Sequence, residues 1–480
     1  MNIVEQIRLE TRPFANRPAI IEGDQSISYA QLLERIGILG KLLTDRGIGA
    51  GQRIAFHCRD GIDYVIGALA LLDCGAAVVP LADSLTDREL GEAIERIDVH
   101  GILLHAAIPR SSDGRAVEKV DDKFFWQLRD ATGESDSRCR EMPAAFIRFS
   151  SGTTGESKGV VLSHKSIVER TDAANKGLAI SERDLILWVL GMSHHFVVSI
   201  LLFLRKGATI IVANQFFPFS LLEAARSHPI TFIYGSPVHY HVLGSSDAVA
   251  PSALSHVRLA ISTSMKMPPE VGARFTAKFG IVPAEAYGII EIGLPFINAH
   301  PDASTPNTVG PILPDYELQI ANRDADGVGE VLIRGKGMFD AYFSPWRSRE
   351  ACTDDGFFHT GDLGRLDDKG RLCLMGRSKT VLVCAGMKVF PEEVEEVINA
   401  MPGVRGSLVF GRDHPQFGQA PVAKIMLEGS VADPAKIINE LRGFCFARLS
   451  AYKVPVEFIE VNSLPMTPSG KLARALARAE

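Results

Sequence analysis

The sequence is short of the features that would place it outside a reducing compartment. Its seven cysteines, at 58, 74, 139, 352, 373, 384 and 445, never form a C-x-x-C pair. Scattered and odd in number, they suggest neither a disulfide framework nor a zinc site. A basic surplus is also missing: 51 lysines and arginines against 57 acids give a net charge of −6. Nothing in that balance favours a nucleic-acid or anionic-membrane surface, so any anion must be bound locally. The opening MNIVEQIRLETRPF mixes acids with bases and lacks an unbroken apolar core, unlike a signal peptide. One charge-free run, Leu185 to Leu204, is long enough to raise the question of a membrane span, yet it contains Gly191, Ser193, His194, His195 and Ser199. It reads better as a strand, LILWVL, a loop holding both histidines, and a buried helix, VVSILLFL. The expectation is a cytoplasmic protein with no membrane span.

What is present is an alternation of strand and helix. At 480 residues the chain calls for two or more compact units. A helix from about Tyr29 to Arg46 carries apolar residues at helical spacing and stops at Gly47; RIAFHC, DYVIGALALLDC and AAVVPL follow as strand, helix and strand. ATIIVA, TFIYG, VRLAIST and VPAEAYG read as further buried strands whose ends line a crevice. Between about Glu317 and Gly376 the pattern turns to hairpins with Asp/Gly turns. The segment SSDGRAVEKVDD near 111–122 reads as an exposed loop. The fold class expected is α/β: a large N-terminal domain of mixed sheets flanked by helices with a β-rich subdomain, residues 1–376, then a small mobile α+β domain, 377–480.

The most chemically suggestive stretch is SSGTTGESKGV at 150–160. Gly152, Gly155 and Gly159 let the backbone bring N–H groups close to an anion, Ser150, Ser151, Thr153 and Thr154 add hydroxyl donors, and Lys158 adds a positive charge. AAFIRF before it reads as a strand and VVLSHKSIVER after it leads into a helix. The P-loop pattern nevertheless fails, because Ser157 stands at the second glycine position and Gly159 where the magnesium hydroxyl belongs. By composition alone, a solvated Ser/Gly/Thr connection remains the alternative.

Five elements in order, SSGTTGESKGVVLSH, YGIIEIG at 287–293, FHTGDLG at 358–364, GRSKTVLVCAGMKVFPEEVEEV at 376–397 and LPMTPSGKLAR at 464–474, resemble the adenylate-forming superfamily. That superfamily comprises acyl-CoA synthetases, nonribosomal-peptide adenylation domains and firefly luciferase. The resemblance covers nearly the whole chain. It implies an acid–thiol ligase: a carboxylate attacks the α-phosphate of ATP, pyrophosphate leaves, and the acyl group passes to a thiol, that of coenzyme A or of a carrier protein's phosphopantetheine.

By the same resemblance, Ser150 to Gly155 and Lys158 hold the β- and γ-phosphates, and Glu291 associates with Mg2+. Tyr287 and Gly288 lie near the adenine, Asp362 accepts from the ribose hydroxyls, and Arg377 reaches the ribose region. Lys471 contacts the substrate carboxylate and α-phosphate region, Lys379 falls on the hinge, and Lys388 touches the adenylate phosphate. Of these, Lys471, Glu291, Thr153, Lys158 and His194 are the expected catalytic set. His194 and His195, with Tyr234, Gly235, Ser262, Gly288 and Ile289, are the expected acid pocket. Departures from the family pattern are Ile290 for a threonine, Thr380 for an acid, Ala385 for a glycine, and ISTS at 261–264 in place of a glycine-rich strand end.

Amino-acid-activating members place an aspartate in the segment that here runs from Leu185 to Leu204, and none is present. An uncharged aryl, alkyl or alkenyl carboxylate is the expected substrate. Three rivals stand beside a CoA ligase: a ligase that loads a carrier protein, an ordinary NTPase or kinase, and a non-catalytic acyl- or nucleotide-binding protein.

Overall fold

The computed structural model describes residues 2–480 apart from 84, 86–89, 92, 96–97, 109–114, 130, 132–141, 150–157, 302–307, 385–386, 415–417, 430–433, 467–471 and 473–480. At 383, 388, 418 and 434 it describes the backbone alone. The described chain divides into two compact units, one of residues 2–149, 158–317 and 334–358, the other of 318–333 and 359–472.

The first unit is built on two large sheets. In the eight-stranded sheet, six strands run parallel: Ala284–Ile289, Leu259–Ser262, Phe232–Gly235, Leu185–Trp188, Thr209–Val212 and Pro18–Glu22, in that spatial order. Antiparallel Gly293–Ile297 and Gln25–Ser28 close its edges. These strands are continuous apolar runs, as parallel strands covered on both faces must be. The nine-stranded sheet centres on parallel Gly101–His105, Arg53–His57, Ala77–Leu81 and Ala144–Phe149.

Helix Ile62–Asp73 shows why a layer of helix can lie between them. Ten of its residues, from Ile62 to Leu72, are buried, and it packs against strands of both sheets. A helix apolar all round has to be enclosed. Tyr29–Thr44 is instead amphipathic, burying Leu32, Ile36, Leu39 and Leu43. Its start is fixed by a reciprocal cap: Gln31 N donates to Ser28 Oγ at 3.2 Å, and Ser28 N donates to Gln31 Oε1 at 2.9 Å.

Strand Phe357–Leu366, which belongs to the second unit from His359 onward, turns back into Leu372–Arg377, with Asp362 opposite Arg377. Beyond it, Leu382–Cys384, Met387–Val389, Val404–His414, Gly418–Leu427 and Glu457–Glu460 form a small sheet. Helices Pro391–Asn399 and Pro434–Phe446 contribute Val394, Ile398, Leu441 and Cys445 to its core.

One local expectation is refined and two need correction. The segment after the glycine-rich loop is first a strand, Gly159–Ser163, paired antiparallel with Ala144–Phe149; the helix begins only at His164. The apolar VVL run gains more from sheet pairing than from a helical turn. Both histidines sit in a helical turn, Met192–His195, rather than a loop, and a π-helical turn, Phe196–Ile200, follows before Leu201–Arg205. Within 111–122, Glu118–Lys119 is a short exposed strand paired with Phe124–Leu128; residues 111–114 lie outside the described residues. Among the described residues no helix is long and apolar enough to cross a membrane.

Candidate active site

Parallel strands end on one edge of their sheet, and at that edge the backbone leaves room for a ligand. In the eight-stranded sheet, Trp188 pairs with Tyr234 and Gly235 with Ser262, so the expected acid-pocket positions share that edge. The Tyr234 ring stacks on Trp188 with centroids 5.8 Å apart, and His195 meets both rings edge-on at 6.3 and 6.0 Å. Tyr234 and Ser262 are 2% and 1% exposed, whereas Gly288 is exposed and Ile289, His194 and His195 are half-buried. The open part of this edge is therefore its Gly288–Ile289 and histidine side. His194 is held at both ends: its carbonyl accepts from Arg148 Nη1 at 2.5 Å, and its Nδ1 lies 3.0 Å from Ser193 Oγ.

Glu291 sits in the turn between Ala284–Ile289 and Gly293–Ile297. The turn is tight enough that a Cβ at Gly288 would stand 2.2 Å from the Gly293 carbonyl oxygen. Two contacts fix its backbone: Phe339 N donates to the Glu291 carbonyl at 2.7 Å, and Arg170 Nη1 donates to that of Ile290 at 3.1 Å. Arg170 is fully buried, and desolvation pulls its pKa down to about 10 against the opposing charges of Asp340 and Glu291. The Glu291 side chain accepts from the Tyr342 hydroxyl at 3.0 Å. Lys158, at the exit of the glycine-rich loop, places its ammonium 5.0 Å from the centre of the same ring. Burial, reinforced by Glu291, pushes the Tyr342 hydroxyl far above the ordinary tyrosine range, so it stays a donor.

Tyr287 is buried and packs on Phe296, ring centroids 6.0 Å apart. In the second unit, Asp362 is 6% exposed and its Oδ1 meets Arg377 Nε at 3.0 Å. Lys379 is exposed, two residues beyond Arg377, in a turn whose Thr380 and Val381 amides donate to the Arg377 carbonyl. Ser150, Ser151, Gly152, Thr153, Thr154, Gly155 and Lys471 lie outside the described residues, as does the side chain of Lys388.

The structure thus brings Lys158 and Glu291 together around Tyr342, groups the histidine turn with Tyr234, and pairs Asp362 with Arg377. Sequence reasoning missed Tyr342, Arg148 and Arg170. Arg148 had a signal, a lone charge inside the apolar strand AAFIRF. Tyr342 had none, being one aromatic in a three-residue strand, Ala341–Phe343.

The sequence profile described as AMP-binding enzyme matches residues 8–343, and that of the AMP-binding enzyme C-terminal domain matches 393–471. The chain belongs to the AMP-binding enzyme family. Family members similar to it include a methyl-dioxo-octahydroindenyl-propanoyl:CoA ligase of Mycobacterium tuberculosis, 28% identical over 97% of this chain and 96% of that protein. Another is a sulfoacetate–CoA ligase of Cupriavidus necator, 26% identical over 98% and 96%. Among solved structures, ATP-bound MatB from Rhodopseudomonas palustris superposes with a TM-score of 0.85 at 25% identity, over 100% of this chain and 99% of that one. The expected fold class and superfamily are both borne out by these matches.

Proposed function

We propose that this chain is an ATP-dependent ligase that joins a carboxylic acid to coenzyme A through an acyl-adenylate. Membership of the AMP-binding enzyme family, with CoA ligases among its full-length relatives, makes it an AMP-forming acid–thiol ligase. The observation that carries the reading in the structure is the Lys158–Tyr342–Glu291 group at the exit of the glycine-rich loop. It places a cation over one ring and a carboxylate at the hydroxyl of the same ring, charges of the two signs that a polyphosphate with a bound cation calls for.

A carboxylate oxygen of the acid bonds to the α-phosphorus of ATP, and the bond from that phosphorus to the pyrophosphate oxygen breaks. In the second step the thiolate of coenzyme A bonds to the acyl carbon, AMP leaves, and the thiol proton goes to solvent. Lys158 holds phosphate charge, helped by the hydroxyls and amides of Ser150 to Gly155. Asp362 receives the ribose hydroxyls while Arg377 keeps its carboxylate in place. Lys471, carried on a C-terminal domain of residues 377–480 that turns about Lys379, meets the α-phosphate region, and Lys388 touches the adenylate phosphate. His194 and His195 line the acid pocket.

Glu291, one of whose oxygens accepts from Tyr342, would hold Mg2+ as a single carboxylate ligand, since Mg2+ is usually bound through one or two carboxylates together with substrate phosphates. Among the described residues no group of three or more His, Cys, Asp or Glu would hold a metal by itself. When bound, the ion would neutralise charge on the phosphates.

The acid we propose is an uncharged aryl or alkyl carboxylate, since the histidine segment supplies no aspartate for an ammonium. A carrier-protein phosphopantetheine as thiol acceptor is the second reading, with the same chemistry. The test is acid-dependent ATP–pyrophosphate exchange over aryl and straight-chain acids, followed by consumption of free coenzyme A, with Lys471→Ala as control. Exchange with one acid class and loss of free thiol support the CoA ligase; exchange without thiol loss moves the acceptor to a carrier protein. No exchange with any acid, with ATP still bound, defeats the catalytic reading.

A further inference from the structure

The helical turn that carries His194 and His195 emerges from the eight-stranded sheet, yet the groups that hold it come from the other sheet. Arg148, on strand Ala144–Phe149 of the nine-stranded sheet, takes the His194 carbonyl at the turn's C-terminal end. At its N-terminal end, Asp60 Oδ2 accepts from the Met192 amide at 2.9 Å. Asp60 follows strand Arg53–His57, again of the nine-stranded sheet, and precedes helix Ile62–Asp73.

The same Asp60 oxygen also accepts from Asn214 Nδ2 at 2.5 Å. Asn214 lies just past strand Thr209–Val212, and its amide donates in addition to the Leu190 carbonyl at 3.0 Å. Gln215 next to it donates to the Asp60 carbonyl and to Glu22 Oε1, both at 2.7 Å, and Glu22 Oε2 accepts from the Ile62 amide at 2.8 Å. One carboxylate therefore gathers three strand ends from two sheets and fixes the peptide that opens the histidine turn. Asp60 also lines a cavity of about 440 Å³, together with Arg59, Asp83, Gly191, Asn214 and Gln215.

A helical turn of four residues has too few internal hydrogen bonds to hold its own position. With Gly191 at its start and a π-helical turn after it, the segment depends on outside partners. We infer that Asp60 is a positioning residue for acid recognition: through the Met192 amide it sets where His194 and His195 stand at the open edge of the pocket. The inference rests on the reading of these histidines as pocket residues in an acid–CoA ligase. Asp60 acts here through the Met192 amide rather than by contact with the substrate.

The test compares Asp60→Ala, Asp60→Asn and Asn214→Ala with the wild type in acyl-CoA formation, measuring KM for the acid, KM for ATP and kcat. Displacement of a recognition segment by about 1 Å costs up to about a hundredfold in such reactions. Asp60→Ala should raise KM for the acid about tenfold or more while KM for ATP stays within about twofold. Asp60→Asn keeps one acceptor oxygen for the Met192 amide and should restore most of the loss. Equal changes in all parameters, an unchanged KM for the acid, or no rescue by asparagine each overturn the inference. Should thermal melting show that Asp60→Ala does not fold, Asn214→Ala decides, and an unchanged KM for the acid there overturns it. A wild type that makes no thioester from any acid instead defeats the ligase reading, and does so before any variant is compared.

Discussion

Tyr342 donates its phenolic hydrogen to Glu291 at 3.0 Å, and the ammonium of Lys158 lies 5.0 Å from the centre of the same ring. One tyrosine side chain thus contacts both a cation and a carboxylate. Replacing Tyr342 by phenylalanine keeps the ring under Lys158 but frees the Glu291 oxygen. The expected result is a fall of roughly tenfold in exchange rate with a shifted Mg2+ optimum, against a fall of about a hundredfold or more for Glu291→Gln. Mg2+ titration of the exchange rate checks both. Equal effects of the two variants would show that Tyr342 does more than orient the carboxylate.

Asp362 is held by Arg377, whose Nε lies 3.0 Å from its Oδ1. If it receives the ribose hydroxyls, the wild type should discriminate against 2′,3′-dideoxy-ATP, and Asp362→Ala should lose that discrimination along with affinity for ATP. A charged hydrogen bond of this kind contributes about 1.5–3 kcal/mol, or roughly ten- to a hundredfold in KM. Competition between the two nucleotides in the exchange assay measures it. Retained discrimination in the variant would remove Asp362 from the ribose site.

Much of the site was legible because its members lie in contiguous motifs. YGIIEIG, FHTGDLG and GRSKT each put a candidate site residue beside the turn that shapes it, and local sequence determines local turns. What was illegible is long-range. Tyr342 reaches Glu291 across 51 residues, Arg148 reaches His194 across 46, and Asp60 meets Met192 and Asn214 across 132 and 154. No window on the chain contains such pairs. The strands of the parallel sheet were readable as apolar runs ending in small residues. After the glycine-rich loop, VVL pairs with AAFIRF before the helix starts, a pairing that no local signal announced. Apolar runs announce burial, and only their partners decide between strand and helix.

Burial raises the Asp60 pKa from 3.8 to about 7, opposed by its hydrogen bonds to the Met192 amide and Asn214 and assisted by Asp83 and Glu22. Between those values the folded protein binds a proton that the unfolded chain has released. Stability therefore falls as pH rises from about 4 to 7, and the full penalty, of order 4 kcal/mol at most, is present above 7. Asparagine carries no charge at any pH. The melting temperature of Asp60→Asn minus that of the wild type should accordingly grow from pH 5 to pH 8 and then level off. A difference that is flat with pH would mean that Asp60 does not titrate in this range.

The turn that presents Glu291 is set by the absence of a side chain. A Cβ at Gly288 would lie 2.2 Å from the Gly293 carbonyl oxygen and 3.1 Å from Leu294 Cδ1, and the closer of these is backbone, tied into the pairing of Ile289 with Gly293. Gly288→Ala must push the two strands apart. Overpacking of this kind costs about 1–3 kcal/mol, and the displaced turn carries Glu291 with it, so stability and exchange activity should fall together. Gly37 provides the control. It lies in the helix Tyr29–Thr44, and a Cβ there would meet nothing within 4 Å. Gly37→Ala should raise stability by about 0.5–1 kcal/mol and leave exchange unchanged. Thermal melts of the two variants beside the exchange assay separate the cases: a Gly288→Ala protein as stable and active as the wild type would mean that the turn can open without cost.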